Sequence, residues 1–120
     1  MDEYFRHLSG PDTLTKFERD YAPSIAYFGR IVDKPEVMRE KARFVERWPQ
    51  RSYRPRQNSI EVACKVLDGE TVCTVTGLVD FECRSPERHA VSSGVAQFLA
   101  QIWISGDRPQ IIGEKSKVVG

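Results

Sequence analysis

The spacing of apolar residues divides the chain into a helical first part and a β-rich second part. From about residue 12 to residue 28, apolar side chains recur at intervals of three and four, which indicates one buried helical face. These side chains are Leu14, Phe17, Tyr21, Ile25 and Phe28. Pro23 lies inside this segment and removes a backbone donor, so we expect a kink or a break there.

A second helix is predicted to begin at Asp33. Asp33 is a favoured N-cap residue, Pro35 fits the first turn, and Glu36 is placed to reach back as in a capping box. Pro49 marks the end of this helix. Its apolar stripe consists of Val37, Phe44, Val45 and Trp48, and its opposite face is charged.

After Arg51 the apolar period changes to two, which is typical of strands. Residues 60–66 alternate, and Asp68-Gly69 supplies the residue types of a two-residue hairpin turn. The next strand is predicted over about 70–83, with its odd-numbered residues on the core face. This face comprises Cys73, Val75, Gly77, Val79, Phe81 and Cys83.

Two further turns, at residues 84–87 and 105–108, complete three successive hairpins. They bound strands that are predicted over about 88–104 and 109–119. The pattern of the last strand does not fix its register.

The turn before the third strand determines which of its residues face the core. A turn centred between Ser85 and Pro86 would pair Cys83 with Arg88. The core face then continues through Ala90, Ser92, Gly94, Ala96, Phe98, Ala100 and Ile102. A shift by one residue would instead bury two glutamines, Gln97 and Gln101, which is the costlier arrangement.

Composition indicates a single globular domain over residues 1–120, with 40% hydrophobic and 29% charged residues. A net charge of +1 argues against a dedicated nucleic-acid binder. No apolar run approaches the roughly 20 residues that cross a bilayer, and residues 1–7 lack the features of a secretory signal. We therefore expect no nucleic-acid and no membrane partner. The location is cytoplasmic if Met1 is the natural start, and periplasmic or exported if the chain is a fragment.

The three cysteines have no Cys-x-x-Cys spacing, and His7 and His89 are the chain's histidines, so we expect no metal site and no cofactor. A two-residue loop at 68–69 places Cys64 directly opposite Cys73, in a non-hydrogen-bonded pair where α-carbons lie about 4.5 Å apart. A disulfide can close at that distance. The other interpretation is that both are small buried hydrophobes in a reducing compartment. Cys83, at the end of a core-facing strand, is expected to be an inert thiol.

Four segments carry a resemblance to a known superfamily. They are YAPSIAYFG at 21–29, RWPQRSY at 47–53, VCTVTGLVD at 72–80 and SSGVA at 92–96. Together they resemble a bacterial branch of the nuclear transport factor 2-like superfamily, a branch that is often appended to larger proteins, including caspase-like peptidases. The likeness extends from about Phe17 onward. It implies an α+β fold, with N-terminal helices packed on a long curved antiparallel sheet, the cystatin-like cone. No caspase-like catalytic motif is present.

This superfamily includes ketosteroid isomerases, scytalone dehydratase, polyketide cyclases and non-catalytic binding modules. The fold alone therefore does not determine the function. Its catalytic members aim a carboxylate, or a His with an Asp, into an apolar pocket. In the predicted register Asp80 and Glu82 point outward, and His89 lies at a strand edge beside a turn. This departure from the catalytic pattern favours a non-catalytic role.

The cone is expected to be lined by a few aromatic residues and two polar ones, which would suit a small apolar ligand. The expected pocket residues are Tyr27, Trp48, Tyr53, Phe98, Ser92 and Glu114. The alternative is that these aromatics are ordinary core residues. If the domain is instead a small isomerase, dehydratase or cyclase, Glu114 is the candidate base, and Tyr27 or Tyr53 the hydrogen-bond donor.

The outward face of the third strand is more apolar than a monomer normally exposes, because it carries Val95, Leu99 and Trp103. We expect this face to form a homodimer. The alternatives are that a partner domain or the chain's own C-terminal extension covers this face.

A separate group of arginines surrounds Trp48 and Tyr53, and we interpret it as a solvated surface rather than a nucleic-acid site. These arginines are Arg47, Arg51, Arg54 and Arg56.

Overall fold

The computed structural model describes residues 20–104 and 109–120. This part of the chain contains one α-helix, α1 (Lys34–Arg47), and a short 3-10 turn (Gln57–Ser59). Its seven strands are β1 (Tyr21–Tyr27), β2 (Arg30–Asp33), β3 (Gln50–Pro55), β4 (Glu61–Leu67), β5 (Glu70–Ser85), β6 (Ala90–Trp103) and β7 (Gln110–Val118). The expected α+β class is confirmed.

All seven strands belong to one curved sheet in the order β2-β1-β7-β6-β5-β3. The central strands are antiparallel, whereas β1 runs parallel to β7. β4 and β3 share one edge of β5, with β4 along its first half and β3 along its second half. The helix α1 packs against β1 and β2 and covers the inner face of the sheet at that end.

The prediction of a helix over residues 12–28 is wrong for its second part, because residues 21–27 form β1. The buried residues Tyr21 and Ile25 fit a period of two as well as a spacing of four, whereas buried Tyr27 fits only the period of two. Pro23 is tolerated there because the ladder between β1 and β7 shifts register between Tyr21 and Ala26. The first part of the predicted helix, with Leu14 and Phe17, lies outside the described residues.

The predicted start of the second helix is confirmed. Asp33 is the N-cap of α1, and its side chain accepts a hydrogen bond from the Glu36 backbone N–H at 3.1 Å. The helix ends at Arg47, before Trp48 and Pro49. Val37 is fully buried under the sheet and anchors the apolar stripe.

The hairpin of β4 and β5 has the predicted register, with Leu67 opposite Glu70 and Cys64 opposite Cys73. Both turn residues adopt positive φ, 51° at Asp68 and 80° at Gly69, as a primed two-residue turn requires. Cys64 and Cys73 are joined in a disulfide with α-carbons 4.0 Å apart. The bridge crosses the inner face of the hairpin.

The predicted register between β5 and β6 is wrong by four residues. Cys83 pairs with Ser92 rather than with Arg88, because the connection is a four-residue turn over 86–89 in which His89 has a φ of 53°. A shift of four leaves the face assignment unchanged, so even-numbered residues of β6 lie inward as expected. Phe98 and Ala100 are buried, and the other five residues predicted for this face are half-buried.

The core lies between α1, β1 and the inner faces of β5 to β7. Its buried members are Tyr21, Ile25, Tyr27, Val32, Val37, Val75, Val79, Phe98 and Ile111. Gly77 lies under the Phe98 ring, and a Cβ atom added there would meet Ile60 Cδ1 at 2.7 Å. The core is therefore closely packed around Gly77, and a larger residue there would crowd its neighbours. The predicted last strand is observed as β7, and the turn expected at 105–108 lies outside the described residues.

Candidate functional site

The polar centre of the inner face is Glu114 on β7. Its side chain is only 8% exposed. Oε2 accepts a hydrogen bond from the Tyr21 hydroxyl at 2.6 Å, and Oε1 lies 2.9 Å from Lys41 Nζ. The Lys41 side chain is 12% exposed, so this is a largely buried ion pair. Three separate elements, β1, α1 and β7, therefore meet at one carboxylate.

Tyr27 completes this group, which we call the Glu114 cluster: Tyr21, Tyr27, Lys41 and Glu114. Tyr27 is the register partner of Glu114 in the parallel ladder between β1 and β7. The Lys41 ammonium lies 5.7 Å from the centre of the Tyr27 ring and 5.9 Å from that of Tyr21. Burial raises the pKa of Tyr27 above its ordinary value, and Lys41 opposes that shift.

The sequence predicted Tyr27 and Glu114 as site residues and missed Tyr21 and Lys41. A local signal existed for Lys41, because it lies four residues after buried Val37 and three before half-buried Phe44, on the apolar side of α1. The spacing around Tyr21 indicates a helical face, so the sequence gives no sign of its contact with the last strand.

Two other expected pocket residues, Tyr53 and Ser92, lie at the opposite end of the cone. Tyr53 pairs with Phe81, which pairs with Gly94, whereas Glu114 pairs with Ala100. Gly94 and Ala100 are six positions apart along β6, which corresponds to about 20 Å. Ser92 lies at the Tyr53 end, opposite Cys83.

The Tyr53 hydroxyl and the Cys83 sulfur lie 3.4 Å apart in a hydrogen bond that either group can donate. Burial raises the pKa of the Cys83 thiol, and the Tyr53 contact and Arg51 oppose the shift. A raised pKa and 3% exposure describe a thiol that is poorly reactive at neutral pH.

Trp48 caps the C-terminal end of α1 between two guanidinium groups. Arg88 lies 4.8 Å and Arg47 5.8 Å from the centre of its ring. Arg88 Nη2 donates to the Arg47 carbonyl at 2.5 Å, and Arg51 Nη1 donates to the Trp48 carbonyl at 2.8 Å. These contacts connect the turn after β5 to the end of α1.

Phe98, the remaining expected pocket residue, lies one inward position from Ala100 and so adjoins the Glu114 cluster.

The acidic residues of β5 lie on the outer face, as predicted. Asp80 forms a two-point contact with Arg56, at 2.8 and 3.0 Å, and Glu82 accepts from Arg84 Nε at 2.6 Å. The Arg56 contact lowers the pKa of Asp80, and the Arg84 contact lowers that of Glu82. His89 is exposed in its turn. Of these residues none faces the Glu114 cluster.

The outer face of the sheet carries the row Val95, Leu99 and Trp103, all half-buried. Trp103 lies along this face, where its Nε1 donates to Glu70 Oε2 at 2.9 Å. Val95 exchanges backbone hydrogen bonds with Gly120 and Val119 at the end of the chain. The C-terminal residues thus extend the pairing of β7 with β6 as far as Val95.

Two shallow depressions flank the centre of this outer face. One, of about 370 Å³, is lined by residues of β6 and β7, among them Leu99, Gln97 and Lys115. The other, of about 480 Å³, is lined by residues of β4 and β5, among them Ala63 and Thr74. Thr76, the cross-strand partner of Leu99, borders both depressions.

Within residues 20–104 and 109–120, no group of His, Cys, Asp and Glu side chains is arranged to hold a metal ion. No helix in the same ranges is long and apolar enough to span a membrane.

No protein-family model and no curated protein sequence matches this chain. Solved structures do match it. An uncharacterised protein with a cystatin-like fold from Caulobacter vibrioides superposes with a TM-score of 0.73 at 10% identity, over 99% of this chain and 84% of that chain. This chain has the cystatin-like, nuclear transport factor 2-like fold.

Proteins with this fold include an enzyme subunit and a hub homology domain. The β subunit of benzoate 1,2-dioxygenase from Burkholderia mallei matches with a TM-score of 0.68 at 15% identity, over 98% of this chain and 85% of that chain. The CamKII hub homology domain of Chlamydomonas reinhardtii matches with a TM-score of 0.65 at 11% identity, over 98% and 92%. At these identities the likeness concerns the fold alone.

Proposed function

We propose that this domain is a non-catalytic assembly and binding module that pairs with a second copy through the outer face of β5 and β6. The observation that carries this proposal is the position of Thr76 and Leu99 between the two depressions. Consider a twofold axis that lies in the interface, runs parallel to the strands and passes above the line between β5 and β6. This axis would place Leu99 against Thr76 of the second copy. Each depression would then face the other depression across the interface.

The chemistry of the surface supports this arrangement. Its centre carries no charged side chain from either central strand. Leu99 lies beside Thr74, Thr76 and Leu78 on β5 and between the uncharged amides of Gln97 and Gln101 on β6. Charged side chains on β7 and β4 lie at its margins, as expected of a polar rim. The presence of a hub homology domain among proteins of this fold is in keeping with such a role.

The test is the mass of the protein in solution, measured by sedimentation or light scattering at micromolar concentration. We expect a dimer for the natural sequence and a monomer for Leu99→Arg, since association would remove water from a charged side chain at the centre of the interface. Ile31→Arg is the matched control, because Ile31 is 77% exposed on β2 at the far edge of the sheet. A natural chain that is monomeric under these conditions would refute the proposal.

The Glu114 cluster supports the non-catalytic interpretation. Both oxygens of the candidate base already accept hydrogen bonds from the protein, and every buried side-chain nitrogen and oxygen in the described chain has a partner. Tyr53, one of the two donors considered for an enzyme, lies at the other end of the cone. We therefore assign Glu114 to holding α1 and β1 on the sheet.

A small apolar ligand beside Tyr27 and Phe98 is the second part of this proposal. A panel of steroid-like and polyketide-like compounds tests it through the melting temperature and through product analysis. We expect a rise in melting temperature without conversion of the compound. Conversion that Glu114→Gln abolishes, while the variant stays folded, would favour the small isomerase, dehydratase or cyclase instead.

A further inference from the structure

β4 is a strand with one partner. It pairs with β5 over its whole length, and no other strand of the described chain lies against its second edge. All seven residues from Glu61 to Leu67 are exposed. Val62 and Val66 are 61% and 68% exposed, although they lie on the same face of the sheet as the core. A long uncapped edge of this kind is a template for strand pairing.

The geometry of the hairpin decides which backbone groups this edge offers. Leu67 and Glu70 flank the two-residue turn and form a hydrogen-bonded pair, so the odd-numbered residues of β4 bond to β5. The even-numbered residues, Val62, Cys64 and Val66, direct their N–H and C=O groups to the free edge. The disulfide from Cys64 to Cys73 fastens this edge to β5, so the strand is held in place before any partner arrives.

We propose that the free edge of β4 pairs antiparallel with the same edge of a second copy, about a twofold axis that passes between the two Ala63 residues. Val62 and Cys64 of one copy then exchange hydrogen bonds with Cys64 and Val62 of the other. Glu61 lies opposite Lys65 of the second copy, and Lys65 opposite its Glu61. This contact is distinct from the outer-face dimer and does not depend on it.

Charge selects this register. Only the even-numbered residues of β4 offer hydrogen bonds at the free edge, so the twofold axis must pass through a residue position. An axis at Cys64, for comparison, sets Glu61 opposite Leu67 and Lys65 opposite Ala63. The axis at Ala63 sets Glu61 opposite Lys65 twice, because the twofold symmetry repeats the pair. Ala63, the smallest side chain of β4, lies between the two pairs. On the inner face the same register sets Val66 against Ile60 and Val62 against Cys64, so apolar side chains meet there.

Charged side chains on an edge can also serve to prevent pairing. A lysine alone would have that effect, since no carboxylate on the second copy would compensate its charge. Here an acid and a base stand four residues apart on one face of the strand, an arrangement that satisfies both charges in a self-paired edge. The observation therefore favours a second copy over an unrelated strand as the occupant.

The test uses the Leu99→Arg chain at submillimolar concentration, so that the outer face does not contribute to the measured association. In this background Glu61→Lys and Lys65→Glu each place like charges opposite one another, and we expect each to weaken self-association roughly tenfold. An equimolar mixture of the two variants, and a double variant that carries both changes, should regain the original affinity. Both positions are exposed, so melting curves of all variants should coincide with that of the background chain.

Val62→Pro provides a second readout that does not involve charge. Proline removes an N–H that points to the free edge and none that bonds to β5, so the hairpin is retained while edge pairing is lost. A Leu99→Arg chain that stays monomeric would overturn the edge proposal, as would a mixture that associates no better than its components. The outer-face dimer is judged separately, by the effect of Leu99→Arg on the natural chain at micromolar concentration.

Discussion

The Tyr21 hydroxyl donates to Glu114 Oε2 at 2.6 Å and thereby joins residues that lie 93 positions apart in the chain. The same carboxylate pairs with Lys41 at 2.9 Å through its other oxygen. This single side chain therefore connects the first described strand, the helix and the last strand. Its contribution to stability is the first quantity that the structure predicts.

Glu114→Gln is expected to lower the free energy of unfolding by about 3 kcal/mol, because it removes the charge that compensates the largely buried Lys41 ammonium. Denaturant titration at neutral pH measures this loss. The matched control is Asp80→Asn, which removes the acid of the exposed pair with Arg56. We expect a much smaller change there, since solvent screens that pair. Equal losses in the two variants would contradict the assigned role of Glu114.

The protein is expected to lose stability at alkaline pH. Burial raises the pKa of Cys83 above its ordinary 9.0 and that of Tyr27 above its ordinary 10.0. The unfolded chain releases these protons at a lower pH than the folded chain does, so stability is full below about pH 9 and falls as the pH rises through 9 and 10. Unfolding free energies measured between pH 8 and 11 test the sign.

Two substitutions separate the contributions to this alkaline loss. Cys83→Ser should flatten the lower part of the decline and Tyr27→Phe the upper part, while each variant retains most of the natural volume. Stability that is constant or rises over this range would show that neither proton is held more tightly in the folded state.

The Cys64–Cys73 disulfide closes a short loop, with a sequence separation of 9. Its loss is expected to cost about 2.5 kcal/mol by the loop-entropy model. Denaturant titration of the Cys64→Ser/Cys73→Ser variant against the oxidised protein measures it. Alkylation of the unfolded, unreduced protein isolated from its native compartment should label Cys83 and leave positions 64 and 73 unlabelled. Three labelled thiols would favour the other interpretation of the pair.

Gly77→Ala is expected to destabilise the fold by about 1 to 3 kcal/mol. The added methyl group would lie 2.7 Å from Ile60 Cδ1 and 3.2 Å from the Phe98 ring. Gly77→Ala/Ile60→Val removes the Cδ1 atom of the shortest contact and tests whether crowding is the cause. If crowding is the cause, the double variant should lose less than the sum of the two single variants. Additive losses would point to another origin.

Local patterns predicted the second half of the fold well. The alternation over 60–66 and the Asp68-Gly69 turn placed Cys64 opposite Cys73, because a two-residue loop leaves one register. The connection after Ser85 was predicted less well, since residues 84–87 indicate a turn without giving its length. The face of β6 was still correct because the error of four residues is even.

The first described strand and the centre of the Glu114 cluster depend on contacts that no local pattern contains. Tyr21 and Ile25 are four residues apart, which suits one helical face and equally one face of a strand. What decides between them is the parallel pairing of β1 with β7, about 90 positions away. The partner of Glu114 on α1 is likewise set by tertiary packing.

β3 and β4 occupy separate stretches of the same edge of β5, with the turn at Gln57–Ser59 between them. The tip of the hairpin, residues 66–71, lies beyond Val72 and Trp103, the first register pair of β5 with β6. This tip can therefore lengthen by two residues at a time on each strand without displacing the pair formed by Pro55 and Val79. A foreign hairpin grafted there would be supported by a sheet whose core residues stay unchanged.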